Sequence, residues 1–247
     1  MGSLVTIVEE FRDVLAAWSA ELPGPELLPE RLARACAASL RVDGAGLSMF
    51  FTADRRLPLG SSDEQSAVAE RLQFTVGEGP CLSAHAAGRP LVADDAALQA
   101  TWPVFNEELR ARTAIRGIIS LPLEDDLGGF GALDLFLTAS GDVRRVGLAD
   151  CLDVVHEVVT VFRATGQVSR QGDGPAWLDA PAAARRSLVW QAMGYLNAGL
   201  EITSADALAV LRAHAYTEGS DLDDVAARVL DGQVPLELLA LDPGSPR

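Results

Sequence analysis

The sequence contains no lysine, since all 20 of its basic residues are arginines. Against them stand 35 carboxylate residues, which give the 247-residue chain a formal net charge of −15 at pH 7. Nucleic acids attract proteins through their phosphates, and this attraction requires a basic surface. The acidic balance therefore excludes general attraction to nucleic acid, so that any such binding must depend on a local patch of arginines. The lack of lysine also excludes a P-loop, in which a lysine contacts the phosphates of a nucleotide.

Cysteines and long apolar runs are scarce as well. The three cysteines, Cys36, Cys81 and Cys151, are odd in number and widely spaced, which favours free thiols in a reducing cytoplasm over a disulfide framework. No run approaches the roughly eighteen apolar residues that a membrane-spanning helix needs. The N-terminus lacks the basic lead of a secretory signal. We therefore expect a cytoplasmic protein without a membrane partner.

The residues that usually carry catalysis are few and dispersed. None of the three histidines, His85, His156 and His214, has the neighbours that would indicate a catalytic triad. Cys81 and His85 lie four residues apart, but a zinc site needs three or four ligands and no second pair is present. The glycines around Phe130 lack the third glycine of a dinucleotide-binding loop. We expect neither an enzyme nor a metal site.

Residues 1–165 combine helix and strand signals. Apolar residues at three- and four-residue steps predict an amphipathic N-terminal helix at 3–20, which lies either on its own domain or against a partner helix. Strands are expected at 45–52, 114–123 and 128–138, and further helices at 30–40, 63–73, 103–112 and 144–164. Strands that are joined by a hairpin and interleaved with helices predict an α+β fold with an antiparallel sheet and flanking helices.

The first and last helices of this region carry much apolar surface. Leu4, Phe11 and Trp18 lie seven residues apart, as in a coiled-coil seam. The apolar positions of the last helix are too many for one face against solvent: Leu148, Cys151, Leu152, Val155, Val158, Val159 and Phe162. Apolar surface of this extent is buried in a core or against a partner. We predict a homodimer whose interface includes the helices at 4–20 and 144–164.

Residues 177–247 contain only helix signals, and the polar, glycine-rich residues 166–176 are expected to form a linker. A first helix begins at Pro181, and Gly199 is expected to end it. The next two begin at apparent capping boxes, Thr203 with Asp206 for a helix at 204–217 and Ser220 with Asp223 for one at 221–231. These signals predict a small all-α domain of three helices.

This helical region resembles the ANTAR domain, a family of bacterial RNA-binding modules in transcription antiterminators. The matching residues, at the family's order and spacing between about 182 and 231, are Arg186, Val189, Gln191, Ala192, Gly194, Ala207, Leu211, Arg212, Ala215, Leu222, Val225, Ala226 and Val229. The resemblance implies recognition of RNA stem-loops, whose unpaired bases stack on flat surfaces and hydrogen-bond on their edges. Met193 departs from the family, in which lysine is usual at this position.

The implied RNA contacts fall on six residues: Arg185, Arg186 and Arg212 for phosphates, Gln191 for its amide, Gly194 for close approach and Tyr216 for stacking. In the alternative interpretation, Gly194 and Ala192 only permit close helix packing, and Trp190 and Tyr195 belong to the core. The surface potential separates the two. A positive patch around the three arginines favours RNA, whereas an acidic or apolar face favours a protein partner.

Residues 25–165 resemble a GAF domain, a cytoplasmic ligand-sensing fold, through VGEGPCLSAHAAGRPLVADD at 76–95 and WPVF at 102–105. This variety of GAF domain precedes ANTAR domains in actinobacterial regulators. Because ligand pockets are concave and mostly apolar, the candidate lining residues are Met49, Phe51, Cys81 and Phe136, with membership of the core as the alternative for each. The signal is an unidentified small molecule or protein.

Together the resemblances predict a cytoplasmic transcription antitermination regulator, in which a GAF-like sensory domain at 1–165 controls an ANTAR RNA-binding domain at 177–247. In the alternative, the protein is a ligand-responsive protein-interaction module whose ANTAR-like tail no longer binds RNA. The charge of the tail motivates this alternative, because residues 166–247 hold six arginines against eleven carboxylates.

Overall fold

The computed structural model describes residues 6–52, 55–125, 128–166 and 175–239. The chain divides into two compact units, Met1–Ala183 and Ala184–Arg247. The first unit is mixed α and β and the second is helical, which confirms the predicted order of an α+β region followed by an all-α region. Most of the predicted linker, residues 167–174, lies outside the described residues.

The first unit is built on one five-stranded sheet in which every neighbouring pair is antiparallel. Its strands are β1 (Gly44–Thr52), β2 (Arg55–Ser61), β3 (Leu91–Asp94), β4 (Gly117–Asp125) and β5 (Gly128–Leu137), in the order β2-β1-β5-β4-β3. Its helices are α1 (Ile7–Glu21), α2 (Leu28–Leu40), α3 (Glu64–Val76), α4 (Pro80–Ala87), α5 (Asp95–Thr101), α6 (Pro103–Arg112) and α7 (Leu148–Gly166).

The two edge strands are the ones that sequence patterns miss. No strand is expected at the position of β2, which begins at Arg55, directly after Ala53 and Asp54, which lie outside the described residues. Pro58 weakens the strand signal of β2, but an edge strand accommodates proline because one side of it needs no ladder hydrogen bond. β3 has only four residues and follows residues 76–90, which are rich in glycine and proline and contain α4.

On one face of the sheet, α1 packs against α2 and α7. Phe11 is fully buried in the middle of α1, so that this helix lies on its own domain; Leu4, the first residue of the proposed seam, lies outside the described residues. Arg12 and Glu157 form a bidentate ion pair between α1 and α7, with Nε–Oε2 and Nη2–Oε1 distances of 2.7 and 2.9 Å. Most apolar positions of α7 are buried, whereas Leu148 and Leu152 remain exposed. The homodimer stays a prediction, and Leu148 and Leu152 are the described residues of α1 and α7 that expose a large apolar side chain.

The opposite face of the sheet is covered by α3 to α6, in two parts. An apolar cluster joins side chains of α3, α5 and α6 to Ile118 of β4 and Phe136 of β5. Beside it lies a group of buried polar side chains under α3 and α4. The face therefore changes from apolar to polar along the sheet.

The second unit contains the remainder of α8 (Pro181–Leu200), followed by α9 (Ser204–Glu218), α10 (Leu222–Leu230) and a single turn, α11 (Leu236–Leu239). Thr203 and Asp206 form the predicted capping box of α9. The other predicted box is absent, because Asp221 occupies the cap position of α10 and Asp223 is buried. Gly199 also does not end α8, which continues to Leu200 and stops where Glu201 adopts a left-handed conformation (φ 53°).

None of the helices formed by the described residues is both long and apolar enough to span a bilayer.

Candidate functional site

Six polar side chains are buried together between the sheet and the helices α3 and α4. We call this group the core polar cluster; its members are Ser48, Arg56, Glu70, Gln73, Cys81 and Asp134. Each of them exposes at most 1% of its surface. Buried charges are costly unless they are paired and hydrogen-bonded, so the contacts inside this cluster determine whether the unit is stable.

Arg56 is the centre of the cluster. Its Nη1 donates to the backbone carbonyl oxygen of Glu70 at 2.8 Å, and its Nη2 donates to the Glu70 carboxylate. The same Nη2 lies 3.9 Å from Asp134 Oδ2 and 3.3 Å from Cys81 Sγ. One guanidinium from an edge strand thus reaches α3, α4 and the central strand β5.

The neutral members hold the two carboxyl groups in place. Ser48 Oγ donates to Glu70 Oε2 at 2.6 Å, and Gln73 Nε2 donates to Asp134 Oδ2 at 2.7 Å. Gln73 Oε1 accepts in turn from the backbone N–H of Cys81 at 2.8 Å, at the start of α4. Room for Glu70 exists because Gly46 has no side chain: a Cβ there would lie 2.5 Å from Glu70 Oε1. Each of α3, α4 and the sheet therefore contributes to one hydrogen-bonded network.

Burial governs the electrostatics of the cluster. It is the largest cause of the rise in the pKa of Glu70 to about 8, while Arg56 lowers this pKa and Asp134 raises it. Burial likewise raises the pKa of the Cys81 thiol well above its ordinary value, although Arg56 acts in the opposite direction. Since the thiolate is the reactive form of cysteine, Cys81 is suited to packing and hydrogen bonding and poorly suited to nucleophilic chemistry.

The four residues proposed to line a ligand pocket do not share a cavity. Directly paired residues lie on the same face of a sheet, and the pairing of β1 with β5 puts Phe136 on the face of Ser48. Met49 then lies on the other face, and Phe51, which lies at a register shift of β1, is 52% exposed. Cys81 packs with Phe50 and Ala132, whereas Phe136 belongs to the separate apolar cluster. Strand alternation therefore corrects the predicted pocket lining.

Sequence reasoning did not find the charged members of the core polar cluster. One signal was available: Asp134 is the only charged residue in the apolar strand GGFGALDLFL, and a lone carboxylate in a buried strand requires a partner. Its partner Arg56 is 78 residues away in the sequence. Local periodicity carries no information about such a pair.

In the helical unit, the three arginines assigned to phosphates have different environments. Arg186 is fully buried and forms a bidentate ion pair with Asp223 of α10, with Nε–Oδ1 and Nη2–Oδ2 distances of 2.6 and 3.0 Å. This burial corrects the prediction for Arg186, because a guanidinium in the interior cannot reach a phosphate. Arg185 is exposed and pairs with Asp224, while Arg212 is partly buried. The three arginines therefore do not form one positive patch.

The uncharged members of the predicted RNA site are accessible. Gln191, Gly194 and Tyr195 are exposed on α8, at spacings that place them on one side of the helix. A Cβ added at Gly194 would meet no described atom within 4 Å, so this glycine is not needed for helix packing. Tyr195 is 47% exposed and Tyr216, on α9, is 59% exposed. These are the two tyrosines of the chain, and both present a ring to solvent.

Met193 occupies the position where the ANTAR family has lysine, and its side chain is buried. Trp190 is partly buried beside it on α8. The helix therefore has a buried side at Ala192, Met193 and Leu196, and an uncharged exposed side at Gln191, Gly194 and Tyr195. Residues 189–200, VWQAMGYLNAGL, contain no charged residue. Burial explains this lack of charge on one side of the helix, and packing within the unit does not explain it on the exposed side.

No family model matches the sequence, and no curated protein matches it. Solved structures with a similar fold include the GAF domain of a phosphoenolpyruvate-protein phosphotransferase from Coxiella burnetii, at 15% identity and a TM-score of 0.42, covering 65% of this chain and 99% of that one. A free methionine-R-sulfoxide reductase from Neisseria meningitidis has 16% identity and a TM-score of 0.45, over 66% and 95% of the two chains.

A third similar structure is an N-acylhomoserine lactone-dependent LuxR-family transcription factor from Burkholderia cenocepacia, with 17% identity and a TM-score of 0.46 over 64% of this chain and 96% of that one. Likeness at this level transfers neither an activity nor a ligand.

Proposed function

We propose that this protein is a signal-responsive transcription antitermination regulator, in which the α+β unit is a GAF-like sensory domain and the helical unit binds RNA stem-loops. The observation that carries the proposal is the uncharged, exposed side of α8 at Gln191, Gly194 and Tyr195, together with the exposed ring of Tyr216. Packing within the unit does not require these residues to be uncharged or aromatic. Unpaired RNA bases stack on such rings and hydrogen-bond with amides.

The charges of the unit set the expected mode of binding. Residues 184–247 hold five arginines and nine carboxylates, a net charge of −4, so stacking must contribute more than phosphate contacts. Three arginines on phosphates would give a salt slope of about −2 to −3, but the burial of Arg186 leaves Arg185 and Arg212. Two contacts correspond to a slope of about −1.5 to −2. We therefore expect weak affinity for the unpaired bases of RNA loops, with a modest dependence on salt concentration.

The direct test is a fluorescence anisotropy titration of the full-length protein against a random pool of RNA stem-loops, at several salt concentrations. We expect saturable binding to the stem-loop pool and weaker binding to a fully paired duplex, because a duplex offers no splayed bases. Absence of saturable binding to the stem-loops at low salt would contradict the RNA proposal.

Paired variants separate stacking from charge. Tyr216→Ala should weaken binding about five- to 150-fold, the equivalent of roughly 1–3 kcal/mol per stacked base, and leave the salt slope unchanged. Tyr216→Phe retains the ring and should bind like the wild type. If both variants bind equally, Tyr216 does not stack on RNA.

The ion pair of Arg185 offers a gain-of-binding test. Asp224→Ala frees Arg185 from its ion pair and removes a carboxylate from the same surface, so that RNA affinity should rise, while the salt slope, in which Arg185 already counts as one contact, should stay nearly unchanged. Arg228, which pairs with Glu218 in the same unit, provides the control. Glu218→Ala releases an arginine outside the proposed site and should change affinity less.

A second candidate is a protein-interaction module, and the pairing of Arg185 and Arg186 with carboxylates favours it. By this reading, Tyr195 and Tyr216 are anchors for a protein partner, since exposed tyrosines are frequent in binding hot spots. Copurification from the native cell distinguishes the two. A partner that survives ribonuclease treatment and is lost in Tyr216→Ala supports this candidate, whereas a ribonuclease-sensitive association supports RNA.

A further inference from the structure

The charges of the core polar cluster do not balance. Arg56 supplies one positive charge, whereas Glu70 and Asp134 supply two carboxyl groups, all in the interior. The remaining members of the cluster are Ser48, Gln73 and Cys81. Among the described residues, Ser120 and His85 also face the cluster. Burial raises the pKa of Cys81 and lowers that of His85, so both are neutral near pH 7. With both carboxyls ionised, the cluster would carry one uncompensated negative charge.

The arrangement of the two carboxyl groups indicates how this negative charge can be removed. Both face the same nitrogen, Arg56 Nη2, which contacts the Glu70 carboxylate and lies 3.9 Å from Asp134 Oδ2, and a hydrogen bond with Asp134 is one of the causes that raise the pKa of Glu70. Glu70 Oε1 and Asp134 Oδ1 are both buried and lack a hydrogen-bond donor among the described residues. A proton on either carboxyl would supply the missing donor and would also bring the charge of the cluster to zero. Two carboxylates that share one site commonly retain a proton for this reason.

We propose that Glu70 and Asp134 hold one proton between them in the native protein, and that release of this proton in mild alkali loosens α3 from the sheet. Glu70 is on α3 and Asp134 is on β5, so the repulsion that follows acts directly across the contact between the helix and the sheet. The hydrogen bonds of Ser48 and Gln73 in the same network also join α3 to the sheet. The inference concerns only the α+β unit and does not depend on RNA binding.

The direction of the pH effect follows from linkage. Burial raises the pKa of Glu70 from an ordinary value of 4.5 to about 8. The stabilisation is therefore complete below pH 4.5 and is lost as the pH rises through about 8. In this window the folded state binds one proton more than the unfolded state, so the unfolding constant should rise by up to about tenfold per pH unit.

The test uses the full-length protein between about pH 6 and about pH 9. Infrared spectroscopy should show a carboxylic acid C=O band at neutral pH, where ordinary carboxyls are ionised, and the band should vanish in mild alkali. Amide hydrogen exchange in residues 64–76 should increase over the same range, beyond the intrinsic pH dependence of exchange. Glu70→Gln keeps a neutral hydrogen-bonding group, and it should abolish both the band and the pH-dependent loosening.

The matched control is Glu64→Gln, because Glu64 is an exposed carboxylate on the same helix, and this variant should behave like the wild type. If Glu70→Gln does not fold, Asp134→Asn serves instead, since it also leaves a single carboxyl beside Arg56. The proposal is overturned if the wild type shows no carboxylic acid band at neutral pH. It is also overturned if α3 loosens equally in the wild type and in a folded variant of either residue.

Discussion

Replacing Asp223 with alanine should unfold the helical unit, and the structure indicates how strongly. Arg186 is 0% exposed and Asp223 is 3% exposed, and the two form a bidentate pair between α8 and α10. Removal of one partner from a buried ion pair leaves an uncompensated charge, at a cost of about 3–5 kcal/mol. A domain of fewer than about 70 residues rarely has more than about 3–5 kcal/mol of stability. We therefore expect Asp223→Ala to be largely unfolded between residues 184 and 239, as measured by hydrogen exchange.

The neighbouring residue provides the control. Asp224 also pairs with an arginine of α8, but this pair is exposed, and exposed pairs contribute about 0–1 kcal/mol. Asp224→Ala should therefore retain a folded helical unit. Equal hydrogen exchange in the two variants would refute the reasoning. The comparison also bears on RNA binding, because a loss of binding in Arg186→Ala would report unfolding and could not be attributed to a phosphate contact.

Three further predictions test other parts of the structure. Gly194→Ala should stabilise the helical unit by about 0.8–1 kcal/mol in urea denaturation. Gly199→Ala should stabilise it less, because the added Cβ would lie 2.5 Å from Leu236 Cδ1. An equal increase in stability in the two variants would contradict the packing around Gly199. Light scattering of the wild type should give a mass twice the 26.1 kDa of one chain, and Leu152→Asp should give the mass of a monomer. A monomeric wild type would refute the dimer hypothesis. Cys81 should react with a thiol reagent only after denaturation, because it is buried and its pKa is raised; rapid reaction in the native protein would contradict this placement.

The sequence was sufficient where a pattern is local. The three-to-four-residue spacing of apolar residues predicted α7, and the spacing of Thr203 and Asp206 predicted the start of α9, because both patterns depend on neighbours within one helical turn. β4 and β5 were found because apolar runs flank a short connection. These elements establish the fold class before any tertiary contact is known.

Local patterns mislead where a residue has the spacing of a local motif but pairs with a residue that is distant in the sequence. Asp223 has the spacing of a capping residue, but its carboxylate pairs with Arg186, 37 residues away. The core polar cluster likewise joins residues from five separate elements, and among its members only Asp134 is conspicuous in its own element. Ion pairs between residues that are distant in the sequence determine the roles of these positions, and helical or strand periodicity carries no information about such pairs.

The central claim, that the helical unit binds RNA, is tested most directly by crosslinking the protein to RNA in its native cell and sequencing the bound fragments. The account predicts enrichment of stem-loops, with crosslinks at unpaired loop bases and with the signal lost in Tyr216→Ala and retained in Tyr216→Phe. Recovery of no RNA above the level of Tyr216→Ala would contradict RNA binding and leave the protein-interaction module as the function of this unit.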